Sequence, residues 1–196
     1  MISTKPAPLL QTNRVLLRLL QPADYELLLP FALHEPDLWC YSPGPIAGEI
    51  PFRQYIDHAC QQYASGESLP FVVIDKASGE AAGSTRFYAI NQAANTVELG
   101  YTWYGQRFQG TGLNVHCKWL LLQLAFDEWK VERVELKADA RNERSIAAMK
   151  KIGCTVEGIL RSHVPSNLGG RRDSIVLSIL KHEWLERVKP LLASML

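Results

Sequence analysis

The sequence predicts a single α/β domain built on a mixed, mostly antiparallel sheet flanked by helices. Three observations lead there. From Phe71 to Tyr104, strand-like runs follow one another with only short turns between them, the pattern of an antiparallel meander. Between Val97 and Ala138 a strand, a turn, a helix-length apolar run and a second strand succeed each other. That is a β-α-β crossover, so the two strands should be parallel and the connection right-handed. Thr155 to His163 and Ser174 to Leu180 read as a closing pair of strands.

In order along the chain, Arg14 to Leu19 is a first strand, and Pro22-Ala23-Asp24 opens a helix reaching about Leu33, with Pro30 expected to end or kink it. Glu35 to Ile50 carries Pro36, Pro43, Gly44, Pro45 and Gly48 and reads as a loop. Phe52, Tyr55, Ile56, Ala59 and Tyr63 recur at helical spacing, and Ser65-Gly66 stops that helix. The strands of the meander are Phe71 to Ile74, Ala81 to Ile90 and Val97 to Tyr104, with turns at Lys76 to Gly79 and Asn91 to Asn95. A helix from Leu113 to Trp129 leads to the strand Arg133 to Ala138. Asn142 then caps a helix to about Lys151, which Gly153 ends. After the closing strand pair, the tail from His182 to Met195 is amphipathic and interrupted by Pro190.

Composition narrows the function classes. A chain of 196 residues, 47% apolar and 21% charged, suits one soluble domain spanning residues 1–196 with its core at about 14–184. With 21 basic and 20 acidic residues the net charge is +1, so nothing marks a binder of nucleic acid. No apolar run approaches a membrane span, and Met1 to Pro6 lacks the charged start and apolar core of a secretory leader. A cytoplasmic protein with no membrane partner is expected. Cys40, Cys60, Cys117 and Cys154 are too widely spaced for a zinc or redox site; no metal is expected, and buried free thiols are.

The most telling segment is Arg107-Phe108-Gln109-Gly110-Thr111-Gly112-Leu113-Asn114, where a strand feeds a helix through a basic, glycine-containing turn. Glycine lets the backbone come close to an anion, and the first helical turn aims unpaired N–H groups at it. The ending of a Walker loop is missing, and so is the third glycine of a dinucleotide fingerprint. Further on come Asn142-Glu143-Arg144-Ser145, Lys150-Lys151-Ile152-Gly153 and Glu157-Gly158-Ile159-Leu160-Arg161. In this order and at this separation, the segments resemble the GCN5-related N-acetyltransferases, most closely the branch of the ribosomal-protein N-terminal alanine acetyltransferases. The resemblance runs from about Arg14 to Trp184.

The resemblance implies that the strands Val97 to Tyr104 and Arg133 to Ala138 splay apart and that the gap holds the pantetheine arm of acetyl-CoA. The backbone of Gln109, Gly110, Thr111, Gly112, Leu113 and Asn114 would seat the pyrophosphate, with Arg107 adding charge. The strand end Tyr101, Thr102 and Trp103 would pair with the pantetheine amides, though at least one of these side chains is expected in the core. Asn142 would both cap its helix and bond the cofactor arm. Many relatives carry a tyrosine seven positions after this asparagine to protonate the departing thiolate. Here Met149 stands there, and it has no proton to give. Ser145, three positions after Asn142, matches the serine of the ribosomal-protein branch and would hydrogen-bond the developing thiolate.

Glu98 is the leading general base; its competing role is a salt bridge at a strand edge. The branch's acidic residue after the last glycine is missing from Arg161 to Pro165, which leaves His163 as an imperfect substitute. His116 and Cys154 also depart from the family and point to local repacking. Acetyl-CoA and an amine acceptor, a peptide N-terminus or a small molecule, are the expected partners, and a homodimer is left open. The competitor from another class is a CoA-binding regulatory module of the same fold without turnover. The acceptor pocket is expected between His34 to Phe52 and Arg161 to Arg172.

Overall fold

Eight strands form one sheet whose order follows the chain until its last third. The computed structural model describes residues 2–196. Strands β1 (Leu10–Gln11), β2 (Val15–Leu19), β3 (Leu69–Asp75), β4 (Glu80–Asn91) and β5 (Thr96–Tyr104) lie side by side and antiparallel, as the meander predicts. The chain then crosses over and returns as β6 (Arg133–Asp139), parallel to β5. The hairpin of β7 (Thr155–Pro165) and β8 (Arg171–Leu180) completes the order β1-β2-β3-β4-β5-β6-β8-β7. The parallel pairing covers only Thr96–Arg133, Val97–Val134 and Glu98–Glu135.

Helices α1 (Asp24–His34) and α2 (Glu49–Ser65) pack on each other and over β3 and β4; α3 (Leu113–Gln123) packs near β2. Successive strand residues point to opposite faces, and β5 shows which helix covers which face. Trp103 meets Phe31 of α1 and Phe52 of α2, with ring centroids at 5.5 and 6.2 Å. The next side chain, Tyr104, meets Asn114 of α3 at 3.2 Å. The core thus lies in two layers, one on each side of the sheet. α4 (Glu143–Lys151) follows β6 and buries Met149.

Several expectations need correction. The strand β1 was not anticipated; two residues carry too little periodicity to be read. Pro30 neither ends nor kinks α1 out of the helix, which runs on to His34. Pro30 and Glu26, whose carbonyl loses its partner, are both exposed, so water can satisfy that carbonyl. The loop before α2 contains a 3-10 turn at Pro36–Trp39. The long helix expected to reach Trp129 is α3 followed directly by a π turn, Leu124–Glu128. Pro190 does not interrupt the tail, because it falls in the first turn of Lys189–Ala193, just after a second π turn at Trp184–Val188. Of the four thiols, Cys117 and Cys154 are buried, whereas Cys40 and Cys60 are partly exposed. Cys40 lies in the segment between α1 and α2, and Cys60 lies within α2.

Candidate active site

Past Glu98 the central strands stop pairing, and the gap between them opens into a cleft of about 650 Å³. A bulge in β5 shapes its wall. Ser84 pairs with Trp103 and Arg86 with Gly100, so the single residue Thr85 faces both Tyr101 and Thr102. The bulge holds Tyr101 at φ 49°, an uncommon conformation for a bulky residue, and leaves its ring exposed on the cleft wall. Trp103, on the same side, donates its Nε1–H to the Tyr55 hydroxyl at 3.3 Å and is buried, so it is the core residue expected among these three, although it still touches the cleft. Thr102 faces Thr85, hydroxyl to hydroxyl at 2.8 Å.

At one end of the cleft lies the turn from Gln109 to Asn114. Gly110 and Gly112 adopt φ 73° and 88°, conformations that side-chain-bearing residues rarely tolerate, and a Cβ on either would point into open space. Val115 donates its N–H to Gly112. The N–H groups of Gly110, Thr111, Gly112, Leu113 and Asn114 donate to no oxygen of the described residues, and α3 has no side-chain cap. Gln109, expected among these donors, instead gives its N–H to the Gln106 carbonyl at 3.1 Å, which leaves five successive donors at a helix start, an arrangement suited to an anion. The turn is braced by Thr111 Oγ1 donating to the Phe108 carbonyl at 2.8 Å and Gln109 Nε2 donating to the Tyr104 carbonyl at 2.8 Å. Arg107 does not face the cleft; it forms an ion pair with Glu80 at 2.8 Å. Its place beside the turn is taken by Arg144 of α4, whose Nη1 donates to Gln109 Oε1 at 2.5 Å.

The cleft brings most of the other predicted residues together. Glu98, Asn142, Ser145 and His163 all line it, along with Gln109, Gly110, Gly112 and Asn114. Asn142 caps α4 as expected, its Oδ1 accepting from the Ser145 N–H at 3.0 Å, and no hydrogen bond of its Nδ2 to the described residues is formed. Glu98 takes part in the salt bridge weighed against its catalytic role: Lys137 Nζ reaches Glu98 Oε1 at 2.8 Å and Glu135 at 2.7 Å. It does so while lining the cleft, so the ion pair does not withdraw the carboxylate from it. His163 sits where β7 bulges, with three residues, 161 to 163, opposite Asp173, and its Nδ1 lies 3.0 Å from Ser174 Oγ. His116 points elsewhere, toward Thr12 Oγ1 at 3.1 Å, and burial lowers its pKa.

Other groups in the cleft were not read from the sequence. Tyr88 pairs with Glu98 across the β4–β5 ladder, and burial followed by the nearby Glu98 charge raises its phenol pKa far above the usual value. Lys118 of α3 is a buried cation that lines the cleft, its Nζ donating to Thr102 Oγ1 at 2.9 Å. It has no carboxylate within ion-pair distance among the described residues, and burial pushes its pKa down to about 8. Arg172 of β8 is buried and lines the opposite side, its Nε donating to Ser174 Oγ at 3.0 Å and its Nη1 to the Tyr41 carbonyl at 2.9 Å. Burial lowers the Arg172 pKa from its ordinary value, and Asp139 offsets part of that effect. Asn167 Nδ2 donates to the Trp39 carbonyl at 3.3 Å, and its N–H donates to the Ser42 carbonyl at 3.1 Å. These three bonds tie the loop after α1 to the β7–β8 hairpin, joining the two segments expected to form an acceptor pocket.

The family model described as the acetyltransferase (GNAT) domain matches residues 14–155. YdaF of Bacillus subtilis (strain 168), provisionally named a ribosomal N-acetyltransferase, is 27% identical over 176 residues, covering 88% of this chain and 94% of its own. The crystal structure of a GCN5-related N-acetyltransferase from Brucella melitensis superimposes with a TM-score of 0.86 at 25% identity, covering 99% of this chain and 88% of that one. RimJ of Mycobacterium smegmatis, solved in complex with CoA-disulfide, shares the fold with a TM-score of 0.80 at 20% identity, covering 92% of this chain and 88% of that one.

Proposed function

The chain belongs to the GNAT acetyltransferase family, and from that premise we propose that it moves an acetyl group directly from acetyl-CoA to a primary amine, of a protein N-terminus or of a small molecule. The observation that carries this reading is the run of five N–H groups from Gly110 to Asn114 without a partner among the described residues, in a turn whose Gly110, Gly112 and Asn114 line the same cleft as Glu98 and Ser145. An anion cradle alone would serve a binding module. A carboxylate and a hydroxyl in the continuation of that cleft supply what acyl transfer needs. The likeness to YdaF, named for ribosomal N-acetylation, supports the ribosomal-protein branch expected from Ser145.

The residues fit the donor. The cradle and Arg144 would hold its pyrophosphate, and the β5 edge that loses its strand partner after Glu98 would take the pantetheine amides as an added strand. Asn142 Nδ2 would donate to the same arm. Thioester chemistry is then a matter of protons. Attack of the neutral amine on the carbonyl carbon forms the C–N bond, and collapse breaks the C–S bond. Glu98 accepts the proton that the nitrogen sheds, directly or through a water, and Lys137 stays paired to the carboxylate meanwhile. The leaving thiolate takes a hydrogen bond from Ser145, whose hydroxyl relays a water proton rather than acting as a free acid.

The test is thiol release from acetyl-CoA over a panel of N-terminal peptides and small amines. Ser145→Ala is expected to lower kcat several-fold with little change in CoA affinity, since its bond forms to charge that develops in the transition state. A folded protein that binds CoA yet releases no thiol with any amine would favour the regulatory module instead.

A further inference from the structure

The amine's own identity is restricted by the charges that surround it, and this inference rests on the acetyltransferase reading above. The carboxylates that line the cleft are already paired: Glu98 with Lys137 at 2.8 Å, and Asp139 with Arg141 at 2.7 Å. The guanidiniums on this side are not. Arg172 is buried, faces the cleft and has no carboxylate within 4.0 Å; its Nε and Nη1 are engaged by Ser174 and Tyr41, and its Nη2 makes no hydrogen bond to the described residues. Behind the aromatic wall stands Arg86, fully buried, with its guanidinium 4.0 Å from the Tyr101 ring centroid and 5.0 Å from that of Tyr55. Its Nη1 donates to Gln62, while Nε and Nη2 have no partner among the described residues. Burying an unpaired cation is costly, and two of them on one side of a cleft make a site of positive potential. Such a site would disfavour polycationic amines.

We propose that the acceptor is an amine that also carries a carboxylate, held by Arg172 while its amino group is presented to Glu98. Arg172 suits this role because a guanidinium grips carboxylates by geometry as well as charge, and its Nη2 is the donor left unengaged. The same bonds that fix Arg172 fix Tyr41 and the loop above it, so the group is preorganised. The carboxylate can be that of a free α-amino acid or the side chain of an acidic residue near a peptide N-terminus. Here Arg172 is a substrate-positioning residue and takes no part in proton transfer.

Matched pairs of amines test the idea. L-Phenylalanine is compared with its amide, and the dipeptide amide Ala-Glu with Ala-Gln, by thiol release from acetyl-CoA. The first pair reports the free amino acid, the second the acidic N-terminus. In at least one pair the carboxylate is expected to win by tenfold or more in kcat/KM. Arg172→Gln should reduce that preference to threefold or less, mainly through KM, and Arg172→Lys should retain part of it. Equal use of acid and amide in both pairs overturns the proposal, as does a preference that survives in Arg172→Gln. A second readout needs no turnover: the fluorescence of Trp39 and Trp103, which line the cleft, titrated with the N-acetylated form of each amine in the presence of CoA. Discrimination of acid from amide there, lost in Arg172→Gln, upholds the site even if no thiol is released, whereas its absence there as well as in turnover overturns it. Should Arg172→Gln fail to fold, the wild-type pairs and Arg172→Lys decide.

Discussion

In the half of the cleft proposed for the donor, the residues are held mostly by short-range bonds. Thr111 is tied to Phe108, Gln109 to Tyr104, Tyr104 to Asn114 and Ser145 to Asn142, spans of 3 to 10 residues. In the acceptor half the ties are long: Asn167 to Trp39 spans 128 residues and Arg172 to Tyr41 spans 131. The first half is largely backbone, the second largely side chain. A backbone cradle suits a donor that never changes. Side chains on two loops can be exchanged without disturbing the sheet, which suits an acceptor that differs from one relative to the next.

This contrast can be broken or sharpened by substitution, and Glu98 sits on the boundary. Glu98→Gln should lower kcat by about a hundredfold, within the range of general-base contributions, and remove the acidic limb of the rate profile while leaving CoA affinity intact. Persistence of that limb, once the amine's own titration is subtracted, would move the base to His163.

Lys118 tests the donor half through stability. Its ammonium is pushed down to about 8 by burial, from an ordinary 10.5. A lysine whose folded pKa is depressed binds its proton less well in the folded state. The penalty is therefore present in full below about pH 8 and fades as pH rises toward 10.5. Lys118→Met should stabilise the ligand-free protein at pH 7 by up to roughly 3–4 kcal/mol, the fall from 10.5 to about 8 taken at about 1.4 kcal/mol per pH unit, and the gain should shrink markedly by pH 10. Urea unfolding at the two pH values measures it; an equal gain at both would mean that packing, not charge, is responsible.

Gly112→Asp sets a side chain and a negative charge in the cradle at φ 88°. CoA affinity should fall at least tenfold, about 1.4 kcal/mol, by calorimetry on a folded variant. The smallest change is expected from Asn167→Ala, which removes the Nδ2 bond to the Trp39 carbonyl and leaves the other two ties between these loops in place. The KM of the best amine should rise about threefold, roughly 0.6 kcal/mol, with CoA binding unchanged. A matching loss in CoA affinity would show that the halves are not independent.

The same contrast explains what the sequence discloses. Gly110, Gly112 and Asn142 were legible because a positive φ or a helix cap is a local demand that a few residues express. The splay followed from family resemblance, and the pairing stops where that resemblance places the gap. Arg107 was misplaced because its partner, Glu80, comes 27 positions earlier at the start of β4, a neighbour that only the sheet register supplies. Lys118 was passed over because a lysine on a helix reads as a solvent face, and only packing against Thr102 shows otherwise. Tyr88 and Arg172 depend on ladder register and on a three-residue bulge in β7, which leave no periodic trace.

The three residue pairs joining β5 to β6 also bear on how the chain assembles. Strands β3 to β5 follow one another through short turns, and β7 and β8 form a hairpin, so these parts gain their contacts at low cost in loop closure, whereas β2 reaches β3 only across α1 and α2. The parallel seam has to wait for the crossover through α3 and then gains little pairing in return. It is therefore expected to form after the β3–β5 meander and the β7–β8 hairpin. It is also the line along which the native sheet should part first, with the Val97 and Val134 region exchanging amide hydrogens ahead of the meander's centre.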